Sequence, residues 1–249
     1  MRVVVAASAR SAARVAADLV EEFITASPSP ALGLATGETM EAVFAELVRR
    51  HRDEGLSLAG VEAYLLDEYV GLAPCDPGAY RSVVHRLLVR HVDLRADAVH
   101  GPDPAAADLA AECARYEQQV RDAEVGLQLL GIGSNGHIAF NEPGSPLDSA
   151  TRVVVLSDRT RTDNARCFPA AQAVPTRAIT QGIGTIGAAG RLVLLACGRH
   201  KAAAVARAVE GPVTCDVPAS AIQLHPSVTV VLDPAASYRL DPTQRVVDP

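Results

Sequence analysis

Apolar residues fall along the chain in two alternating rhythms: short unbroken runs, and longer stretches where they recur every three or four positions. RVVVAAS (2–8), ALGLAT (31–36), VEAYLLDE (61–68) and VGLQLLGIG (125–133) are of the first kind and predict strands. TRVVVLS (151–157), RAITQGIG (177–184), GRLVLLACG (190–198) and VTVVLD (228–233) extend the series. Between them, Ser11 to Thr25 carries helical spacing through Val15, Leu19, Val20, Phe23 and Ile24. The stretches 40–52, 80–90, 105–123 and 200–209 predict further helices. Strands that are apolar on every side must be covered on both faces, so the pattern predicts an α/β fold with a mostly parallel sheet between two layers of helices. No proline- or glycine-rich linker and no repeat divides the chain, and a single domain over residues 1–249 is expected.

Composition leaves that picture intact and removes several functions. Of 249 residues, 49% are hydrophobic and 21% charged, the balance of a well-cored globular protein. With a net charge of −6 and no long basic run, neither nucleic acid nor an anionic membrane is an expected partner. The opening MRVVVAASAR lacks a signal-peptide pattern, and no apolar stretch approaches the roughly 20 residues that span a bilayer. Cys75, Cys113, Cys167, Cys197 and Cys215 are scattered without CxxC spacing, which argues against a disulfide framework or a zinc site and for a reducing cytoplasm. Lys201 is the lone lysine among 23 basic residues, in a chain otherwise committed to arginine.

In such sheets ligands gather at the carboxyl ends of strands, which singles out four junctions. ATGETM (35–40) turns on Gly37 into a helix, whose first N–H groups and threonine hydroxyls suit a monophosphate but lack P-loop spacing. Taken alone it reads first as an ordinary helix cap, and Glu38 would repel an anion unless its side chain turned away. ACGRHKAAAV (196–205) repeats the design with Lys201 in the first turn, where a cation opposes the helix dipole and a shared anion would remove the conflict. LLDEYVGL (65–72) ends a strand in Asp67 and Glu68, of which alternation lets only one aim at a given site. GIGSNGHIAFNEPG (131–144) matches GxGxxG, yet Pro143-Gly144 follows where a dinucleotide fold needs a helix, and a lone histidine makes a poor metal site. That leaves His137 with Asn135 and Glu142 beside it, either as a catalytic histidine or as a structural one held by its own loop.

Taken in order, LGLATGET, LLDEYVGL with DPGAYRS, GIGSNGHIAFNEPGS, RTDNARCF, ITQGIGTI and CGRHKAAAVARAVEGPV through SAIQLHP resemble the glucosamine-6-phosphate deaminase (isomerase) family over nearly the whole chain. The resemblance implies an open, Rossmann-like, mostly parallel twisted sheet with helices on both faces. It also implies conversion of glucosamine 6-phosphate and water to fructose 6-phosphate and ammonia, with neither metal nor organic cofactor. Asp67 would then move the proton between C2 and C1, and His137 would open the sugar ring, with Glu142 orienting it and Asn135 tuning it. The phosphate falls by resemblance to Thr36, Gly37, Glu38 and Thr39, to Arg166 and to Lys201, with Ala139 against the substrate and Tyr80 near the mouth. The implied partner is a small amino-sugar phosphate.

The chain departs from the family in three places. Asn135 stands where some members carry aspartate, which predicts altered histidine tuning rather than inactivity. Glu38 and Met40 replace the usual phosphate-loop residues, which makes another amino-sugar phosphate the alternative substrate; a 6-phosphogluconolactonase-like hydrolysis, on the shared fold, is the alternative reaction. Longer relatives are allosteric hexamers; here Arg152 is kept but Val154 and Val155 are apolar, and a monomer without such activation is expected over a homo-oligomer.

Overall fold

The structure, a computed structural model, describes residues 1–73, 75–165, 168, 173–244, 246 and 247. The chain alternates β1 (Arg2–Val5), α1 (Ala9–Ala26), β2 (Ala31–Leu34), α2 (Glu38–Glu54) and β3 (Glu62–Leu65). Next come β4 (Asp67–Tyr69), α3 (Tyr80–Leu87), β5 (Val99–His100), α4 (Leu109–Asp122) and β6 (Leu127–Leu130). The second half holds β7 (Arg152–Val155), α5 (Asp158–Asn164), β8 (Arg177–Thr180), α6 (Ile183–Ile186) and β9 (Leu192–Ala196). It closes with α7 (Ala202–Val209), β10 (Val228–Leu232) and β11 (Val246–Val247).

Eight strands form one sheet in the order β11-β1-β10-β9-β6-β2-β3-β5, and every pairing within it is parallel. All residues of β2, β6 and β9 are buried, so helices and loops cover both faces as the unbroken apolar runs require. The α/β fold class read from the sequence is thus what the structure has. Among the described residues no helix is long and apolar enough to cross a membrane.

Four expectations need correction. The run 61–68 is not one strand: Leu66 N–H still bonds Leu34 O at 3.2 Å, but its own carbonyl accepts Gln181 N–H at 2.7 Å and the chain leaves the sheet. Beyond that point Asp67–Tyr69 pairs antiparallel with β8, and β8 pairs antiparallel with β7, giving a separate three-stranded sheet. The strands expected at 151–157 and 177–184 belong to this second sheet, and 183–186 is a helical turn. The helix expected from residue 105 starts at Leu109, because Asp108 accepts the N–H groups of Ala110 and Ala111 and so caps it. Helix α5 was not expected from the sequence. Its residues DRTRTDN are polar throughout and offer no periodicity to read.

At Gly182, between β8 and α6, a Cβ would lie 2.0 Å from the carbonyl oxygen of Ser149, a backbone atom without room to retreat. Gly182→Ala should therefore destabilise the fold by about 1–3 kcal/mol, read as a melting point lowered by several degrees. An unchanged melting point would show that the 149–150 segment yields freely.

Candidate active site

The sheet order places the four junctions side by side. β9, β6, β2 and β3 are consecutive neighbours and run the same way. Strands lie about 4.8 Å apart, so their carboxyl ends line a mouth roughly 14 Å across, the scale of a sugar phosphate.

Asp67 and Glu68 separate as strand alternation demands. Glu68 is buried and turns to α3, where Oε1 accepts Tyr69 N–H at 2.9 Å and Tyr80 N–H at 3.0 Å and Oε2 accepts Arg81 N–H at 3.0 Å. It is an anchor for that helix start. Asp67 is also buried, and burial, seconded by the charge of Glu68, pushes its carboxyl well above the usual aspartate range. Burial likewise raises the Tyr80 phenol, with the charges of Tyr69 and Asp67 adding to it, so Tyr80 lies within the electrostatic reach of Asp67. Tyr80 donates to the Tyr69 hydroxyl at 3.2 Å and stacks on Phe140 at 5.9 Å between ring centroids.

The loop after β6 is built around the histidine. A Cβ on Gly133 would lie 2.3 Å from the imidazole of His137, so only glycine leaves room for the ring. Gly133 N–H bonds His137 O at 2.9 Å, and Asn135 Oδ1 accepts His137 N–H at 3.2 Å, closing the turn. Asn135 Nδ2 donates to Glu142 Oε2 at 2.8 Å, so Asn135 holds the backbone and the carboxylate rather than the ring. Ser157, which caps α5, and Thr160 within it donate to the other oxygen of Glu142. Glu142 Oε2 stands 3.9 Å from His137 Nδ1, which has no hydrogen-bond partner among the described residues. Hydrogen bonds of acid–base sites are often long without substrate and tighten with it. Burial favours the neutral imidazole and outweighs the opposing field of Glu142, leaving His137 below its ordinary value of 6.5. Burial raises Glu142, but hydrogen bonding from Thr160, the charge of His137 and the other donors outweigh it, and its pKa is lowered. Ala139 adopts φ 49°, a left-handed conformation that a side chain resists, at the crest of the same loop.

Between these two junctions, after β2, Gly37 (φ 112°) turns the chain into α2 with no side-chain capping bond. Thr36 and Thr39 are half-buried, whereas Glu38 is exposed in a first turn where carboxylates favour the helix dipole. Gly198 turns after β9, its N–H held by both oxygens of Asp233 at 3.0 and 3.1 Å. A 3-10 turn over Arg199–Lys201 leads into α7, so Lys201 precedes the helix proper. The charge of Lys201 further disfavours the His137 imidazolium, which puts ammonium and imidazole in one electrostatic neighbourhood. Arg166 lies outside the described residues. His137, Asn135 and Glu142 thus form one linked group, with Lys201 coupled to it by charge, while Asp67 is linked by charge to Tyr80 and Glu68.

Sequence reasoning missed the residues that join these parts. Thr180 faces Asp67 in the β4–β8 register, and its hydroxyl accepts Phe140 N–H at 3.2 Å. Gln181 Nε2 donates to Leu65 O at 3.0 Å, and Asn141 Nδ2 donates to Gln181 O at 2.9 Å. Their one signal was an Asn, a Thr and a Gln within otherwise apolar strings, which marks buried polar groups needing partners.

Residues 5–231 match a family model described as glucosamine-6-phosphate isomerases/6-phosphogluconolactonase. A glucosamine-6-phosphate deaminase of Beutenbergia cavernae is 49% identical over 242 residues, covering 96% of this chain and 93% of that one. One from Mycolicibacterium smegmatis is 50% identical over 228 residues, covering 91% and 87%. A solved structure of a monomeric glucosamine-6-phosphate deaminase superimposes with a TM-score of 0.93 at 42% identity, covering 96% of this chain and 100% of that one. The 6-phosphogluconolactonase from Leishmania guyanensis has a TM-score of 0.77 at 22% identity, covering 96% and 98%, a likeness of fold alone.

His137 should titrate below 6.5 when its ring signals are followed by NMR, and should therefore be neutral at pH 7. Glu142→Gln removes the field that favours the imidazolium and should lower the midpoint further. A midpoint at or above the ordinary value would contradict this arrangement.

Proposed function

We propose that this chain, which belongs to the glucosamine-6-phosphate isomerase/6-phosphogluconolactonase family, converts glucosamine 6-phosphate and water to fructose 6-phosphate and ammonia. The observation that carries the reading is a buried Asp67 and a His137 kept neutral, on segments joined through Thr180. Relatives about half identical over most of their length carry the same activity in their names. A monomer acting in amino-sugar metabolism accords with the solved relative at 42% identity.

Each step of the reaction has a group suited to it. The cyclic sugar opens when the C1 hydroxyl loses a proton and the ring oxygen gains one. A neutral imidazole, with one accepting and one donating nitrogen, is fitted to that exchange. Glu142 faces Nδ1 and steadies the cation that forms transiently. The open aldehyde form then loses its C2 proton to the Asp67 carboxylate, which burial makes an unusually strong base once ionised. Returning that proton to C1 turns the enolamine into a C2 imine, and water adds to the imine and expels ammonia. Binding at the phosphate, remote from C1 and C2, holds the reacting carbons still. The first turn of α2, Lys201 and Arg166 are the groups assigned to it, while Glu38 lies exposed at the rim.

Ammonia release from glucosamine 6-phosphate, compared with galactosamine and mannosamine 6-phosphates, tests the reading. To the extent that the proton on Asp67 exchanges with solvent before it reaches C1, deuterium should appear at C1 of the product, which a lactonase-type hydrolysis would never introduce. Asp67→Asn should lower kcat by about 10²- to 10⁴-fold with KM little changed. Lys201→Ala should instead raise KM roughly 10- to 100-fold, and unaltered affinity would refute the phosphate role. Because the carboxylate form of Asp67 is the active one, activity should fall as pH drops through its raised pKa, well above the usual aspartate range. A full rate down to pH 4 would contradict Asp67 as the base.

A further inference from the structure

We propose that Arg152 is a positioning residue for this reaction, acting through Asn141 to fix the turn that carries His137 and Glu142 against the strand that carries Asp67. The proposal rests on the deaminase reading above. Arg152 opens β7 and sits opposite Thr180, the residue that pairs with Asp67 on its other side. Its Nη1 donates to Asn141 Oδ1 at 2.8 Å, with a longer contact of 3.4 Å to Ala150 O. Asn141 is fully buried. Its Nδ2 donates to Ile138 O at 3.1 Å and to Gln181 O at 2.9 Å, and its backbone N–H reaches Ile138 O at 3.0 Å.

The donors and acceptors in this chain allow one arrangement only. A guanidinium can only donate and a carbonyl can only accept, so Arg152 forces Oδ1 of Asn141 towards β7 and its amino group towards the two carbonyls. The amide then clamps residues 138 and 181 together. Between Ile138 and Asn141 Ala139 is held at φ 49°, a conformation a non-glycine residue keeps only when its surroundings impose it. His137 and Glu142 are the residues on either side of the clamped turn.

Structural need alone does not account for an arginine at this position. Its side chain is half-buried, burial lowers its pKa, and among the described residues no carboxylate lies within ion-pair distance. A half-buried charge without a counter-ion is a poor stabiliser, and a smaller polar residue would satisfy the edge strand. What arginine supplies is a donor long enough to reach Asn141 from β7. Without it the buried Oδ1 lacks a donor, and the amide is free to turn over and release Ile138 or Gln181.

Arg152→Met keeps the length and the apolar stem but removes the donor. In a variant whose melting point and circular dichroism match the wild type, kcat should fall roughly 10- to 100-fold while KM stays within about twofold. Arg152→Lys offers one N–H in the same direction and should restore most of kcat. A folded Arg152→Met with wild-type kcat, or one altered in KM alone, overturns the proposal. Should the methionine variant not fold, Arg152→Gln, too short to reach Asn141, takes its place with the same expectations. If the wild-type protein releases no ammonia, the functional reading fails by itself, and the His137 ring signals then decide the positioning role. They should shift in the variant lacking the donor and return with Arg152→Lys; identical spectra in all three proteins overturn it.

Discussion

Thr180 lies at the end of β8 with no exposed surface, and three parts of the molecule meet on it. Its backbone faces Asp67 on one side and Arg152 on the other, and its hydroxyl accepts the N–H of Phe140 from the histidine loop. Gln181 continues the joint, bonding Leu65 and Leu66 where the parallel sheet ends. Each of these hydrogen bonds contributes only about 1 kcal/mol to stability. Their value is geometric. They hold a strand end and a loop that arrive from different neighbours of the large sheet in one fixed relation, which proton transfer over two adjacent carbons requires.

Burial then pushes both proposed acid–base groups towards neutrality, with opposite chemical results. For Asp67 it raises the pKa, giving a carboxylate that is a stronger base than an exposed one. For His137 it lowers the pKa, keeping one nitrogen free to accept and the other to donate near neutral pH. Lys201 adds to the second effect and Glu142 opposes it, so the imidazole feels both a cation and an anion. Titratable groups displaced by burial and by specific charged neighbours in this way are characteristic of acid–base sites.

The parallel core was legible because its strands are apolar on all sides and its helices α1 and α2 repeat apolar residues every three or four positions. Asp67, His137 and Glu142, the residues proposed for catalysis, were visible in the sequence at the ends of those strands. The three-stranded sheet was not, since a break at Leu66 leaves the apolar run 61–68 unbroken in sequence while the hydrogen-bond partner changes from Leu34 to Gln181. Helix α5 was hidden for a related reason: contacts from outside the segment hold it, through Thr160 and Ser157 to Glu142 and Asn164 to Tyr69. Glu68 and Asn135 were visible as polar residues, but which neighbour each would bond depends on distant chain brought alongside.

A crystal structure of Asp67→Asn with glucosamine 6-phosphate bound tests the central claim most directly. The account predicts the side chain at position 67 over C1 and C2, with the His137 imidazole within about 3.2 Å of the ring oxygen or the C1 hydroxyl. The phosphate should lie between the first turn of α2 and Lys201. A sugar seated with its phosphate at the histidine loop, or with C1 and C2 turned away from position 67, would contradict it.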